Sequence, residues 1–272
     1  MVIFPRAKIN LGLRVIEKRS DGYHDIETVF YTVGLSDALE IVVAPEGSDN
    51  DFLEVTGLLT GGDPEDNLVT RAVRLVRHDY DIPFLRIHLH KMIPPGAGLG
   101  GGSSDAASAI KALNRSFKLG MSDERMMEYG LRLGSDLPFF IDGRPSRASG
   151  RGEILSPAPE YLKGCYIILA NPGIHVSTAK AYENCRPSNI RGSLDILSSI
   201  PPEEWKNYVF NDFEDYVFTA HPVVGEIKDL MYDSGAVFSL MSGSGSTVYG
   251  IFRNEPRVPE ALRSFMIFSG YA

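Results

Sequence analysis

Cysteine and tryptophan are scarce in this chain: its 272 residues hold two cysteines and one tryptophan. Two thiols, Cys165 and Cys185, cannot build a disulfide framework, and neither sits in a CxxC pair. They read as reduced, buried thiols of a reducing compartment. Basic charge is short as well. Lys+Arg 27 against Asp+Glu 35 leaves a formal net charge of −8, which argues against nucleic-acid polymers as partners, since those call for a basic surface. Small anions stay open, because helix ends and backbone amides decide their binding locally. No apolar run approaches the ~18 residues of a membrane span. The first segment, MVIFPRAKINLGLRV, carries Arg6 and Lys8 inside its apolar stretch, unlike a signal peptide. The chain reads as cytoplasmic, with no membrane partner and an oligomeric state that the sequence leaves open. Hydrophobic content of 43% and charged content of 23% exclude a disordered chain.

Several chemical signatures are missing too. There is no Gly-Lys-Ser/Thr of a Walker loop and no HExxH; Ser242 stands where a GxSxG elbow needs glycine. His88 and His90 share one strand face without a carboxylate partner in sequence, so they read as satisfied polar residues rather than metal ligands.

Hydrophobic periodicity supplies the elements. In residues 7–17 (AKINLGLRVIE) apolar and polar positions alternate, the pattern of a half-buried strand. Lys8 and Asn10 then share the face turned away from the core. Asp21-Gly22 marks a turn, and 26–35, 38–44, 52–56 and 84–93 read as strands. Gly61-Gly62-Asp63-Pro64 is a loop, after which Asp66 or Asn67 caps a helix with Leu68, Ala72, Val73 and Val76 on its apolar face. Ser122 caps a helix that stops at Gly134, leaving Asp136 on a loop, and 141–156 reads as short strands. Beyond the proline-marked stretch 156–164 come a strand at 165–171, a short helix capped by Ser177, helices at 212–219 and 222–233, two strands flanking Gly243-Ser244-Gly245-Ser246, a helix near 256–265 and a last strand. The mixture is α+β in two lobes, 1–156 and 157–272. Residues 186–210 carry no usable pattern.

What the chain has in surplus is glycine: 27 residues, about 10% against a typical ~7%. Five of them, Gly96, Gly98, Gly100, Gly101 and Gly102, fall within seven positions and lead into Ser103-Ser104 at the mouth of a helix. A strand, a glycine-rich loop and a helix start make an anion site, where amides turn inward without steric cost and the helix dipole favours negative charge. The formal GxGxxG match is weak, because the acidic residues about 20 positions later, Asp123 and Glu124, fall in a helix and not at the end of a strand. A nucleoside-triphosphate loop of another design remains.

That loop, PPGAGLGGGSSDAA, resembles the phosphate-binding motif of the GHMP small-molecule kinases, Pro-x-x-x-Gly-Leu-Gly-Ser-Ser-x-Ala, with extra glycines between Leu99 and Ser103. The longer form, with AKINLGLRVIEKRSDGYHDIETVF (7–30), GSDLPFFIDGRPSRASGRGE (134–153), NPGIHVSTAKAY (171–182) and MSGSGSTVYGIF (241–252), is similar to a branch acting on a cytidine-diphosphate polyol of the non-mevalonate isoprenoid pathway. The resemblance runs in order nearly end to end. It implies the two-lobed GHMP kinase fold, with an N-terminal lobe like ribosomal protein S5 domain 2, a C-terminal α/β sandwich, and substrates meeting in the cleft between them.

The resemblance also implies roles. The γ-phosphoryl group of ATP would pass to the 2-hydroxyl of the methylerythritol unit. Asp136 matches the general base, and Lys8 the lysine that pairs with it and offsets phosphoryl charge. Pro94, Pro95, Gly96, Ala97, Gly98, Leu99, Gly100, Gly101, Gly102, Ser103 and Ser104 would wrap the ATP phosphates, with Asn67 near the adenine and Ser104 a ligand for Mg²⁺. Tyr23 and His24 match residues around the cytosine, and Tyr182 an aromatic that stacks on it; Asn10 and Thr178 are further substrate contacts. Asp105, beside phosphates, reads better as a bond to amides of its own helix start. A homoserine or mevalonate type of GHMP kinase, or an inactive nucleotide-binding protein on this fold, stays open. Residues 94–104 hold no charged side chain, while Arg6, Lys8, Arg14, Lys18 and Arg19 outnumber Glu17 and Asp21 within residues 1–24.

Overall fold

A computed structural model describes residues 1–58, 63–187 and 192–272; Gly61 and Gly62 of the expected loop lie outside the described residues. The chain forms two compact units, each drawn from separated segments. Unit 1 comprises residues 1–7, 35–95 and 100–143, and unit 2 comprises 8–34, 96–99 and 144–272.

The sheet of unit 1 has strands β1 (Val2–Ile3), β4 (Ala38–Val43), β5 (Phe52–Gly57) and β6 (Leu85–Lys91) in the order β1-β4-β6-β5. β5 runs parallel to β6, which requires a crossover; helix α1 (Leu68–Asp79) makes it. Asn67 starts α1, its Oδ1 accepting from Val69 N at 2.9 Å. Val69, Ala72, Val73 and Val76 are buried and Leu68 only half so, which turns the apolar stripe by one residue from the expected register. Helices α2 (Gly101–Phe117) and α3 (Asp123–Leu133) follow; Ser122 caps α3 and Gly134 ends it, as their spacing predicts. Residues 137–142 correct the expected loop and short strands: they form helix α4 (Leu137–Asp142). Leu137, Pro138, Phe139, Phe140 and Ile141 are all buried, and Pro138 suits a first helical turn, where its missing N–H costs nothing.

Unit 2 holds two antiparallel sheets. One contains β2 (Arg6–Lys18), β3 (His24–Ser36), β7 (Ser146–Ser149) and β8 (Ile154–Pro157) in sequence order. The other has the order β10 (Phe238–Met241), β11 (Val248–Phe252), β9 (Tyr166–Ala170), β12 (Met266–Tyr271). Helices α5 (Thr178–Asn184), α6 (Glu214–Ala220) and α7 (Pro222–Asp233) cover it, while the expected helix near 256–265 is reduced to α8 (Glu260–Arg263). Leu13, Val15, Ile168, Phe213, Val217, Ile227, Met231 and Val248 share its core, each buried side chain contributing about 1.5–3 kcal/mol. Residues 188–191 of the segment without a pattern lie outside the described residues, and the part from 193 on is structural. Leu194–Ser198 and Pro202–Asn207 are 3-10 helices that bury Leu194, Leu197 and Trp205, and Trp205 meets Phe238 edge-on at 5.6 Å.

Candidate active site

In unit 2, Lys8 and Asn10 lie on one face of β2, as alternation requires. That face is not solvated: Lys8 is 5% exposed and Asn10 2%. The cover is the stretch Gly96–Leu99 together with the turn between β10 and β11. Leu99 O accepts from Lys8 N at 2.9 Å, Gly98 O accepts from Ser242 Oγ at 2.8 Å and Lys8 Nζ at 3.3 Å, and Ala97 O accepts from Thr247 N at 3.3 Å. Lys8 Nζ also donates to Asn10 Oδ1 at 2.7 Å and stands 5.0 Å from the centre of the Phe30 ring. Asn10 is fixed in turn, its Nδ2 donating to Thr28 Oγ1 at 2.9 Å and its carbonyl accepting from Tyr249 OH at 3.0 Å. Asn10 Oδ1 and Gly98 O are thus two of the oxygens that bind the ammonium, and Asn10, itself fixed by Thr28 and Tyr249, supports Lys8. Sequence reasoning missed Ser242 and Tyr249; the only local signal was the Gly-Ser run that follows Ser242.

The glycine loop spends its carbonyls on the protein itself. Ala97 and Leu99 are 4% and 1% exposed, so they can offer a ligand only backbone. Pro94 is half-buried, and Pro95 and Gly96 are exposed. Gly100 precedes α2 in a left-handed conformation, and its carbonyl accepts from Ser104 N at 2.9 Å. The first amides of any helix lack partners within it.

Also in unit 2, His24 and Tyr182 stack at 4.7 Å with 17° between ring planes, and Phe213 meets Tyr182 edge-on at 4.8 Å. Burial, with help from Lys18, pushes the His24 imidazolium pKa down, so the neutral ring presents one donor and one acceptor nitrogen near pH 7. Tyr23, next to His24 in the chain, is 54% exposed and carries the Arg151 guanidinium 4.8 Å from its ring centre. Thr178 Oγ1 shares a hydrogen bond of 2.9 Å with Ser244 Oγ.

In unit 1, Asp136 is half-buried and forms the N-cap position of α4, where no side-chain cap bond holds it. Its Oδ1 accepts from Ser103 Oγ at 2.8 Å. Ser103 therefore orients the carboxylate, a pairing across 33 residues that no local pattern announces. Ser104 is 2% exposed in the first turn of α2. Asp105 corrects its expected role. Its carboxylate does not serve the helix start; Oδ2 accepts from Lys91 Nζ at 2.6 Å, and Oδ1 is buried without a hydrogen-bond partner among the described residues. Burial pushes this carboxyl up from its ordinary range, and Lys91 pulls it back. His88 and His90 bracket Thr56 Oγ1 at 2.8 and 3.0 Å, the satisfied role expected of them.

The family of GHMP kinases N terminal domains matches residues 67–144, and that of GHMP kinases C terminal matches 189–268. A 4-diphosphocytidyl-2-C-methyl-D-erythritol kinase of Bacteroides thetaiotaomicron is 49% identical over 260 residues, covering 96% of this chain and 95% of its own. The chain belongs to the 4-diphosphocytidyl-2-C-methyl-D-erythritol kinase family of GHMP kinases. A solved 4-(cytidine 5'-diphospho)-2C-methyl-D-erythritol kinase shares 32% identity and a TM-score of 0.80 over 98% of this chain and 96% of that one. A homoserine kinase of Cytophaga hutchinsonii, at 15% identity and a TM-score of 0.59 over 95% of this chain and 87% of that one, shares the fold alone. Membership of this GHMP family makes the chain an ATP-dependent small-molecule kinase. No helix among the described residues is long and apolar enough to cross a membrane.

Proposed function

We propose that this chain transfers the γ-phosphoryl group of ATP to the 2-hydroxyl of 4-diphosphocytidyl-2-C-methyl-D-erythritol, in the non-mevalonate route to isoprenoid precursors, and does so in the cytoplasm. The observation that carries the substrate is the His24–Tyr182 pair, in a chain 49% identical to a kinase of that name. An aromatic face accepts any base, while a neutral imidazole selects among base edges by hydrogen bonding. Tyr23, beside His24, and Thr178 flank this recognition.

Phosphoryl transfer needs positioning, charge neutralisation and a home for the hydroxyl proton. Asp136, aimed by Ser103, takes that proton. Lys8, held by Asn10 and Gly98 O, offsets charge on the phosphoryl oxygens. Residues 94–104 bind the ATP phosphates through amides and the α2 start, and Asn67 lies toward the adenine. The N-terminal lobe, 1–156, carries the nucleotide; the C-terminal lobe, 157–272, brings Thr178 and Tyr182. Among the described residues no cluster of three or more His, Cys, Asp or Glu side chains could hold a metal ion. Ser104 is the protein oxygen we assign to a Mg²⁺ ion, which would neutralise charge on the phosphate groups.

A coupled ADP-release assay tests the reading. ADP should appear with Mg²⁺, ATP and the cytidine-diphosphate substrate, and not with homoserine or mevalonate. Turnover of either rival overturns the substrate, and ATP binding without turnover of any of the three overturns the activity.

A further inference from the structure

Unit 1 contains a cluster of charges that phosphoryl transfer does not itself use. Lys91, Asp37 and Asp105 are 3%, 1% and 2% exposed. Lys91 Nζ donates to Asp105 Oδ2 at 2.6 Å and also to Asp37 Oδ2. Asp37 Oδ1 accepts from Met92 N at 2.5 Å and Ile93 N at 2.8 Å. Burying three ionisable groups is expensive, and an apolar cluster of the same volume often stabilises a core as well or better. Stability alone is therefore a weak reason for this arrangement, and its position offers a stronger one.

Lys91 ends β6, and Met92-Ile93 is where the chain leaves that strand for the glycine loop. Asp105 stands in α2, just after the chain has left the loop. Gly101 marks how closely the two ends meet: a Cβ there would come within 2.9 Å of Ile93 Cγ2 and 3.3 Å of Lys91 Nζ. One ammonium thus ties the entrance of residues 94–100 to their exit, and Asp37 anchors it from the link between β3 and β4.

We propose that Lys91 is a positioning residue for the nucleotide: by bonding Asp105 and Asp37 together it sets the span of the loop and the placement of the α2 amides. The inference rests on the reading that residues 94–104 hold the ATP phosphates. Misplacing a binding group by about 1 Å is enough to cost a large factor in rate, so a loosened tie should register in nucleotide use before anything else.

The test is a graded pair of substitutions at Asp105, read by separate KM values for ATP and for the cytidine-diphosphate substrate, with melting temperature alongside. Asp105→Asn keeps the shape and an acceptor but exchanges an ion pair for a weaker bond from the Lys91 ammonium to a neutral amide oxygen. It should raise the KM for ATP severalfold and leave the other KM within twofold. Asp105→Leu cuts the tie to α2 while leaving Lys91 paired with Asp37, and should raise the KM for ATP tenfold or more. A folded Asn variant with wild-type KM for ATP overturns the inference whether or not the Leu variant folds, and so do two KM values rising in parallel. Failure of the underlying reading looks different, since the wild-type protein would then release no ADP.

Discussion

Gly98 is the position where a single added methyl should do most damage. Its φ is +77°, and a Cβ built on it would lie 1.9 Å from Ser242 O, 2.9 Å from Ser242 C and 3.2 Å from Gly245 N. All three obstacles are backbone, so no side chain can swing aside. Gly98→Ala must therefore accept a left-handed residue, costing about 1–2 kcal/mol, and push two backbone segments apart, costing about 1–3 kcal/mol more. The displaced Gly98 carbonyl also loosens its bonds from Ser242 Oγ and Lys8 Nζ, each worth about 0.5–1.5 kcal/mol. A total near 3–5 kcal/mol corresponds to a fall in Tm of roughly 6–20 °C at about 2–4 °C per kcal/mol. Gly102→Ala is the control. That glycine lies inside α2, where a Cβ meets only Leu68 Cδ1 at 3.4 Å, and alanine should be neutral or stabilise by up to about 1 kcal/mol. Thermal scans of both variants decide the matter. A Gly98→Ala protein melting within about 2 °C of wild type, or a Gly102→Ala protein that falls as far, refutes the steric argument.

Asp136→Asn should lower kcat about 100- to 10,000-fold, the usual loss of a general base, with ATP affinity by calorimetry unchanged; near-normal turnover would remove Asp136 from the reaction. Tyr182→Ala should raise the KM for the cytidine substrate at least about tenfold, in line with ~1–3 kcal/mol for stacking a base, and leave the KM for ATP within about twofold. Equal losses for both ligands would reject the stacking role. Glu214 supplies a pH dependence. Burial raises its carboxyl pKa against the pull of Lys228, so its contribution to stability is full below the unfolded value of about 4.3 and is lost as pH rises through the folded pKa. Urea midpoints of wild type measured against Glu214→Gln should therefore lose ground steadily as pH climbs from 4; a gap that widens in favour of wild type would show the opposite shift.

How much of this was legible in the sequence depends on the range of the interactions. α1, α3 and α7 follow from caps and spacing a few residues long: Asn67 before Leu68, Ser122 before Asp123, Pro222 in a first turn. β2 was legible as a strand but not as a strand buried on both faces, because its cover comes from residues 96–99 and 242–247, far along the chain. The same holds for Ser103 with Asp136 and for Lys91 between Asp37 and Asp105. Residues 193–207 failed for another reason. Leu194, Leu197 and Trp205 are core residues carried on 3-10 turns, whose short runs repeat too few times to show a period. Asp136 was found only through family resemblance; the helix that begins after it is six residues long and too short to announce itself.

The glycine surplus now divides by cause, and the division limits what composition can prove. Gly98 is required because Ser242 O leaves no room for a side chain, and Gly101 is favoured because a Cβ there would press on the Ile93 side chain at 2.9 Å. Both constraints come from the protein's own packing and would hold with no nucleotide present. A dense glycine run is therefore part evidence for a ligand and part evidence for a loop pressed against its own fold. Here the part that speaks for phosphate is narrower than the run: carbonyls of Ala97, Gly98, Leu99 and Gly100 already have donors within the protein. The amides at the start of α2 have none inside the helix. A loop that has spent its acceptors and begins a helix whose first donors are left over has the chemistry to suit an anion, and that holds in a chain whose net charge is negative.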